Sequence, residues 1–302
     1  MRILIVRAGA LGDVLLLRPA IRGLRAGGHS VTLVAPATPA HVLAGEVERV
    51  IPWEGRDVAA LLQPGSAPPT AFADHDLAVA FTRSADLTSA LRAILPVRAR
   101  DPRPPPGVHA ADWVIAEVAD LVAKDVAPPI RVTPEALRTA EPLLARLGPG
   151  FLALHPGSGS PAKSWPRDRY RLLAERLAGR DQAILVVEGP ADREAASAFD
   201  DDSRAVFARG LDLPALGALL SHAGLLVGND SGVAHLAAAY GVSCLVLFGA
   251  TEPAEWRPIG PRVETLRGAK LEALDVEQVF ETAAALFCSL RATSSGPGLP
   301  SG

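Results

Sequence analysis

The chain lacks most of the features that would direct it to a specialised environment. It has only two cysteines, Cys244 and Cys288, among 302 residues. Both sit in apolar surroundings and form no CxxC pair, so a disulfide framework is excluded and the thiols read as reduced core residues of a cytoplasmic protein. No run of 18 apolar residues could span a bilayer, and "MRILIV" enters a strand at once without the apolar stretch of a signal peptide. A soluble protein is expected, with attachment to a membrane surface still compatible. An excess of one charge sign is also missing. The net charge is −3 and the Lys and Arg residues are scattered, so no nucleic-acid partner is expected. No internal repeat of solenoid length is present.

What is present points to two cores. A chain of this length with 49% hydrophobic residues exceeds what one core usually organises. Short runs rich in Val, Ile and Leu alternate with amphipathic segments, the pattern of parallel sheets covered by helices on both faces. Strands are predicted near 2–6, 30–34, 77–80, 151–154, 183–187, 224–228 and 243–248. Helices are predicted near 14–26, 57–63, 85–94, 110–122, 134–146, 168–179, 190–199, 213–222, 232–240 and 275–290. "LGPGFLAL" interrupts this rhythm at Gly148, Pro149 and Gly150, which sets the expected domains at 1–148 and 149–293. The segment "DPRPPPG" (101–107) is neither helix nor central strand, and the tail 294–302 is expected to be disordered.

Three polar stretches interrupt apolar ones at predicted strand ends, where open α/β folds bind ligands. The first, "RAGALGDVLLL", carries Arg7, Gly9, Gly12 and Asp13 ahead of a helix. Ala8 and Ala10 break a GxGxxG fingerprint and "LVAPATP" supplies no acid after the second strand, so a dinucleotide dehydrogenase fits poorly. Taken alone, Asp13 fits a helix cap better than a catalytic role. The second, "HPGSGSPAKSWP", places Ser158 and Gly159 in a small loop with Lys163 nearby, a set able to cradle phosphate oxygens. The third, "VGNDSGVAHLAAAYG", puts Asp230, Ser231 and Gly232 at the start of a helix of small residues, whose dipole favours an anion. An ordinary N-cap is the competing reading. No DxD-like metal site stands at a strand end.

Taken in order, "RAGALGDVLLLRPAIRGL" (7–24), "HPGSGSPAKSWPRDRYRLLAERL" (155–177), "VGNDSGVAHLAAAYGVSCLVLFGATEPAEWRPIG" (227–260) and, weakly, "HAADWVIAEV" (109–118) resemble glycosyltransferase family 9, the lipopolysaccharide heptosyltransferases. The resemblance implies a GT-B fold: two Rossmann-like domains with parallel sheets facing across a cleft, the first binding acceptor and the second the nucleotide-sugar donor. It implies inverting, metal-independent transfer of a heptose, or a similar sugar, from an ADP-sugar to a lipid-linked saccharide at the inner face of the cytoplasmic membrane. No cofactor is implied. Asp13 matches the general base and Lys163 the phosphate-neutralising lysine. Asp230, Ser231, Gly232 and His235 match the donor loop, with Ser158 and Gly159 beside it; Arg7, Gly9, Gly12 and His109 fall on the acceptor side. An acid in "VVEGPADREAA" should reach the donor, and Glu188 and Glu194 are both candidates. The chain departs from the family after Gly260, where the segment is abbreviated and the paired cysteines of many relatives are missing. His41, His75 and His222 read as surface or packing residues. Two other classes fit the same motifs: another GT-B nucleotide-sugar enzyme (a UDP- or GDP-sugar transferase, or an epimerase), and a silent nucleotide-sugar-binding protein.

Overall fold

The computed structural model describes residues 1–63, 67–125, 127–158, 164–179 and 181–294, with side chains described as far as Phe287. The chain divides into two packed units, Met1–Pro128 with Ala254–Trp256, and Pro129–Pro253 with the chain from Arg257 onward.

The first unit is a parallel sheet in the order β3-β2-β1-β4-β5, made of β1 (Arg2–Val6), β2 (Ser30–Ala35), β3 (Arg49–Pro52), β4 (Leu77–Phe81) and β5 (Val97–Arg100). The helices in chain order are α1 (Leu11–Leu15), α2 (Arg18–Ala26), α3 (Ala37–His41), α4 (Arg56–Leu62), α5 (Thr70–Ala73), α6 (Ala85–Arg92) and α7 (Ala110–Glu117). Strand side chains alternate between faces. Leu4, Val6, Val34, Ala78 and Ala80 join Val58, Leu61, Phe72, Leu87 and Leu91 in one core cluster. Ile3 and Ile5 point the other way and are equally buried. Each buried Val, Leu, Ile or Phe among these contributes about 1.5–3 kcal/mol by leaving water. The helix expected over 14–26 is two helices. Pro19 sits at the second position of α2, where its missing N–H is tolerated, and the chain turns at Leu16–Leu17 to begin afresh.

The second unit is a parallel sheet in the order β11-β10-β9-β6-β7-β8, from β6 (Phe151–His155), β7 (Ile184–Glu188), β8 (Ala205–Arg209), β9 (Ala223–Asn229), β10 (Cys244–Phe248) and β11 (Val263–Arg267). Its helices are α8 (Pro134–Leu147), α9 (Arg167–Leu177), α10 (Arg193–Ala196), α11 (Leu213–Leu220), α12 (Gly232–Ala239), α13 (Pro253–Trp256) and α14 (Val276–Ser294). Leu152, Leu154, Ile184, Val186, Leu225, Val227, Leu245 and Leu247 from the sheet pack with Trp165, Tyr170, Leu173, Val279 and Ala283. A Cβ at Gly217 would lie 2.3 Å from the Tyr240 ring, so α11 requires glycine where it meets the end of α12. Cys244 is buried, and burial pushes its thiol well above the usual range. The side chain of Cys288 and the tail 295–302 lie outside the described residues, and α14 itself runs to Ser294.

The division after Pro128 falls ahead of the Gly148 break read from the sequence. The reason is α8, which packs against α11 and β8 and therefore belongs to the second unit. The last residues of α13 count with the first unit: Trp256 packs against Leu16, Ala110 and Ala111, and Glu255 Oε1 accepts from Gly107 N at 2.8 Å.

Four strands escape the sequence reading: β3, β5, β8 and β11. They are the two edges of each sheet. An edge strand is covered less and tolerates charge, and these carry Arg49, Arg98, Arg100, Arg209, Glu264 and Arg267. No continuous apolar run marks them.

Candidate functional site

In the second sheet the chain runs outward from β6 through β7 and β8, then returns to the other side of β6 with β9. The carboxyl ends of β6 and β9 therefore flank the topological switch point, the usual ligand crevice of such sheets. His155 ends β6 opposite Gly228, and Asn229 ends β9 one residue further on. Asp230 and Ser231 come next, and α12 starts at Gly232. The first amides of a helix have no intrahelical acceptor, so those of α12 point out of its N-terminus with the positive end of the dipole.

Asn229 is fully buried and uses its whole hydrogen-bonding capacity inside the protein. Its Nδ2 donates to Pro156 O at 2.9 Å and Gly157 O at 3.1 Å. Its Oδ1 accepts from Trp165 N at 3.0 Å and from Tyr170 Oη at 3.0 Å. Both ends of the loop after β6 are thus fastened to the end of β9. The Ser158 and Ser164 hydroxyls meet at 2.9 Å across the same loop. Gly159 and Lys163, within it, lie outside the described residues.

Ser231 occupies the N-cap of α12 with extended backbone, yet its hydroxyl makes no cap bond. It meets His155 Nδ1 at 3.0 Å. On the far side of the ring, His155 Nε2 meets Asp192 Oδ2 at 3.1 Å, and the same oxygen accepts from Gly189 N at 3.0 Å. The His155 ring is 3% exposed. A Cβ on Gly157 would fall 2.0 Å from the Asp192 carboxylate; glycine is required there for the carboxylate to reach the ring. Sequence reading assigned no role to Asp192 or His155. The available signal is a strand end followed by Gly189-x-x-Asp192, a spacing that lets a carboxylate close on its own loop amide.

The two acids singled out in that stretch differ in their surroundings. Glu188 ends β7 and accepts from Arg209 Nε at 2.8 Å and from Arg193 Nη1 at 3.4 Å, so it serves an ion-pair cluster. Glu194 is exposed in the first turn of α10. Asp230 Oδ2 accepts from the Thr251 hydroxyl at 2.6 Å, and His235 is buried one turn into α12.

In the first unit, Asp13 is the third residue of α1, not the residue before it. The helix begins earlier than expected, at Leu11. Asp13 Oδ2 reaches back to Ala10 N at 3.0 Å, and Oδ1 pairs with the Arg7 guanidinium. Arg7 is 5% exposed and also donates to Pro102 O at 2.6 Å. Both carboxylate oxygens are thus fixed, while the side chain keeps 27% exposure. A Cβ on Gly9 would sit 2.6 Å from Asp13 Cβ, so this turn needs glycine to pass over the acid. Gly12 is the second residue of α1. His109 is the N-cap of α7, its Nδ1 accepting from Ala111 N at 3.2 Å, a local structural task. Among the described residues no three His, Cys, Asp or Glu side chains gather as a metal site.

With this geometry in place, similarity to known proteins decides the family. The model of glycosyltransferase family 9 (heptosyltransferase) matches residues 82–282, well over half of the chain. The chain belongs to glycosyltransferase family 9. This family 9 chain is 30% identical over 121 residues to lipopolysaccharide heptosyltransferase 3 of Escherichia coli, covering 38% of itself and 35% of that relative. It spans about a third of the length of such curated relatives. Its fold is similar to that of the family 9 glycosyl transferase of Veillonella parvula, with a TM-score of 0.81, 20% identity, and coverage of 95% of this chain and 97% of that one. It is also similar to the ADP-heptose lipopolysaccharide heptosyltransferase II of Escherichia coli, with a TM-score of 0.76, 19% identity, and coverage of 96% and 100%. The fold of this family 9 chain is GT-B: two α/β units, each on a parallel sheet.

Proposed function

We propose that the protein transfers a heptose, or a similar sugar, from an ADP-sugar to a lipopolysaccharide core or related glycan, with inversion and without a metal. The observation that carries this reading is the convergence at the β6/β9 switch point, where a tethered Gly/Ser loop and the N-terminus of α12 meet in a chain of this family. In this reading the second unit binds the donor. Ser158, Gly159 and Lys163 are assigned to the donor from the segment after β6, and Asp230, Ser231, Gly232 and His235 from the β9–α12 connection.

Displacement at an anomeric carbon leaves a nucleoside diphosphate carrying new negative charge. Helix amides stabilise that charge without reorganising, the most effective form of electrostatic help, and the Lys163 ammonium neutralises part of it. The first unit binds the acceptor through the region of Arg7, Gly9, Gly12 and His109, and Asp13 accepts the proton of the attacking hydroxyl. Arg7 and the Ala10 amide hold the carboxylate in one orientation, and the exposed remainder of its lone pairs takes the proton. Work on a lipid-linked acceptor places the protein in the cytoplasm, at the inner membrane surface. Among the described residues no helix is long and apolar enough to cross a membrane.

Titration calorimetry with ADP-, UDP- and GDP-sugars tests the donor assignment. Selective binding of the ADP-sugar is expected, and Lys163→Ala should lose one charge-assisted contact, about 1.5–3 kcal/mol or roughly ten- to a hundredfold in affinity. Preference for a UDP- or GDP-sugar overturns the ADP assignment.

A further inference from the structure

The roles given to Asp13, Lys163 and the α12 amides leave the row Asp192–His155–Ser231 without a task of its own. We propose that Asp192 and His155 are positioning residues that set the direction of the Ser231 hydroxyl, so that binding of a nucleoside-diphosphate sugar draws a proton from solvent onto His155. The proposal rests on the reading of the second unit as the donor site.

The chemistry of each group fixes the direction. The Asp192 carboxylate accepts from the Gly189 amide and faces His155 Nε2 at 3.1 Å. A carboxylate only accepts, so Nε2 carries a hydrogen. In the neutral ring Nδ1 is then a lone-pair acceptor, and the Ser231 hydroxyl, 3.0 Å away, must give it its single hydrogen. The Ser231 oxygen consequently presents only lone pairs at the mouth of α12. A diphosphate also presents only lone pairs, and the two repel.

When Nδ1 gains a proton the row reverses. Nδ1–H donates to Ser231 Oγ, and the hydroxyl hydrogen turns to the phosphate oxygen. The added positive charge lies between the Asp192 carboxylate and the bound anion. A diphosphate therefore binds the protonated row better than the neutral one, and linkage requires that its binding take up a proton and weaken as pH rises. Among the described residues, the other acids and histidines on the elements around His155 are Glu188 at the end of β7, and Asp230 and His235 beside Ser231 on the β9–α12 connection. Glu188 is engaged by Arg193 and Arg209 and Asp230 accepts from Thr251.

The test is calorimetry of the full chain with ADP-heptose, without acceptor, in buffers of differing ionisation enthalpy. The diphosphate of this ligand is a diester with no proton to lose near neutral pH. Wild type should take up a fraction of a proton per ligand, up to about one, with affinity falling as pH rises by at most roughly tenfold per pH unit. Ser231→Ala keeps the His155–Asp192 pair but has no hydroxyl to turn, and His155→Asn offers an amide that does not titrate. Both should bind with little or no proton uptake and a flat pH profile. A purely structural row would lower melting temperatures in the variants and leave their pH profile like that of wild type. Binding by wild type without proton uptake, or equal uptake in the variants, overturns the proposal. No binding of ADP-heptose by wild type overturns the donor-site reading itself.

Discussion

Replacing Asn229 with alanine should destabilise the second unit and slacken the loop after β6 together. The side chain is fully buried and makes four hydrogen bonds, two given to Pro156 O and Gly157 O and two received from Trp165 N and Tyr170 Oη. Alanine leaves the Trp165 amide and the Tyr170 hydroxyl as buried donors without acceptors, each worth about 1–3 kcal/mol. The two carbonyls lose a donor as well, but a water entering the vacated space recovers part of this. The net loss is about 3–5 kcal/mol, against a usual domain stability of roughly 5–15 kcal/mol. For a unit of this size that corresponds to a fall of about 6–20 °C in melting temperature, readable by scanning calorimetry. Asn229→Asp is the informative companion. It keeps the acceptor for Trp165 and Tyr170 but turns a carboxylate oxygen toward two carbonyls, so it should be at least as unstable at neutral pH. At temperatures where the alanine variant is still folded, nucleotide affinity should also be reduced, because both loop ends have lost their common anchor. A variant melting within about a degree of wild type would refute the assignment of Asn229 as the loop's fastening.

Other consequences arise from the same contacts. Asp13→Asn should lower turnover by about a hundredfold to ten-thousandfold, the usual worth of a general base, with donor affinity retained; wild-type turnover would return Asp13 to a structural role. Because Asp13 is the carboxylate partner of buried Arg7, the same variant should also lose about 1.5–3 kcal/mol of stability, the worth of a hydrogen bond to a charged group, seen as an earlier melting transition. Gly157→Ala drives a methyl group into the Asp192 carboxylate and should weaken donor binding more than it lowers stability; unchanged binding would show that the Asp192–His155 contact is dispensable. Burial, ahead of the opposing hydrogen bond to Phe72 O, holds the His75 imidazole below its ordinary range. The unfolded chain then binds the extra proton first, so stability is lost as pH falls from about 6.5. His75→Gln should flatten that acid slope in thermal melts, and an unchanged slope would assign it to other groups.

How much of the fold and the site was legible in the sequence depended on burial and on distance along the chain. Central strands such as β1, β6, β9 and β10 are covered on both faces, and their composition reports it. The edges β3, β5, β8 and β11 carry arginines and Glu264, charges that a two-faced strand would exclude, so nothing in their composition separates them from loops. The polar residues at strand ends were visible for the opposite reason: they interrupt apolar runs. Their individual tasks were not. Asn229 and Ser231 sit in a stretch that reads as a seat for diphosphate, yet Asn229 spends three of its four hydrogen bonds on the loop 64–73 positions earlier and the fourth on Tyr170 in α9. Ser231 is tied to a histidine 76 positions away, which in turn needs an aspartate 37 positions further along. Such pairs form only when β6, β7 and β9 lie side by side, and no local pattern announces them. Asp13 shows a smaller miss. Placing the helix start at Val14 made Asp13 resemble a cap, whereas a start at Leu11 lets it reach back to Ala10 and across to Arg7.

The central claim is transfer of a heptose from an ADP-activated donor, and the most direct measurement supplies both substrates. Purified protein is incubated with ADP-heptose and a heptose-deficient lipopolysaccharide core in the presence of a chelator, and the acceptor is weighed by mass spectrometry. The acceptor should become heavier by one heptose, with ADP released in equal amount and the new linkage inverted at the anomeric carbon. An acceptor of unchanged mass, a strict need for added divalent metal, or a retained anomeric configuration would contradict it.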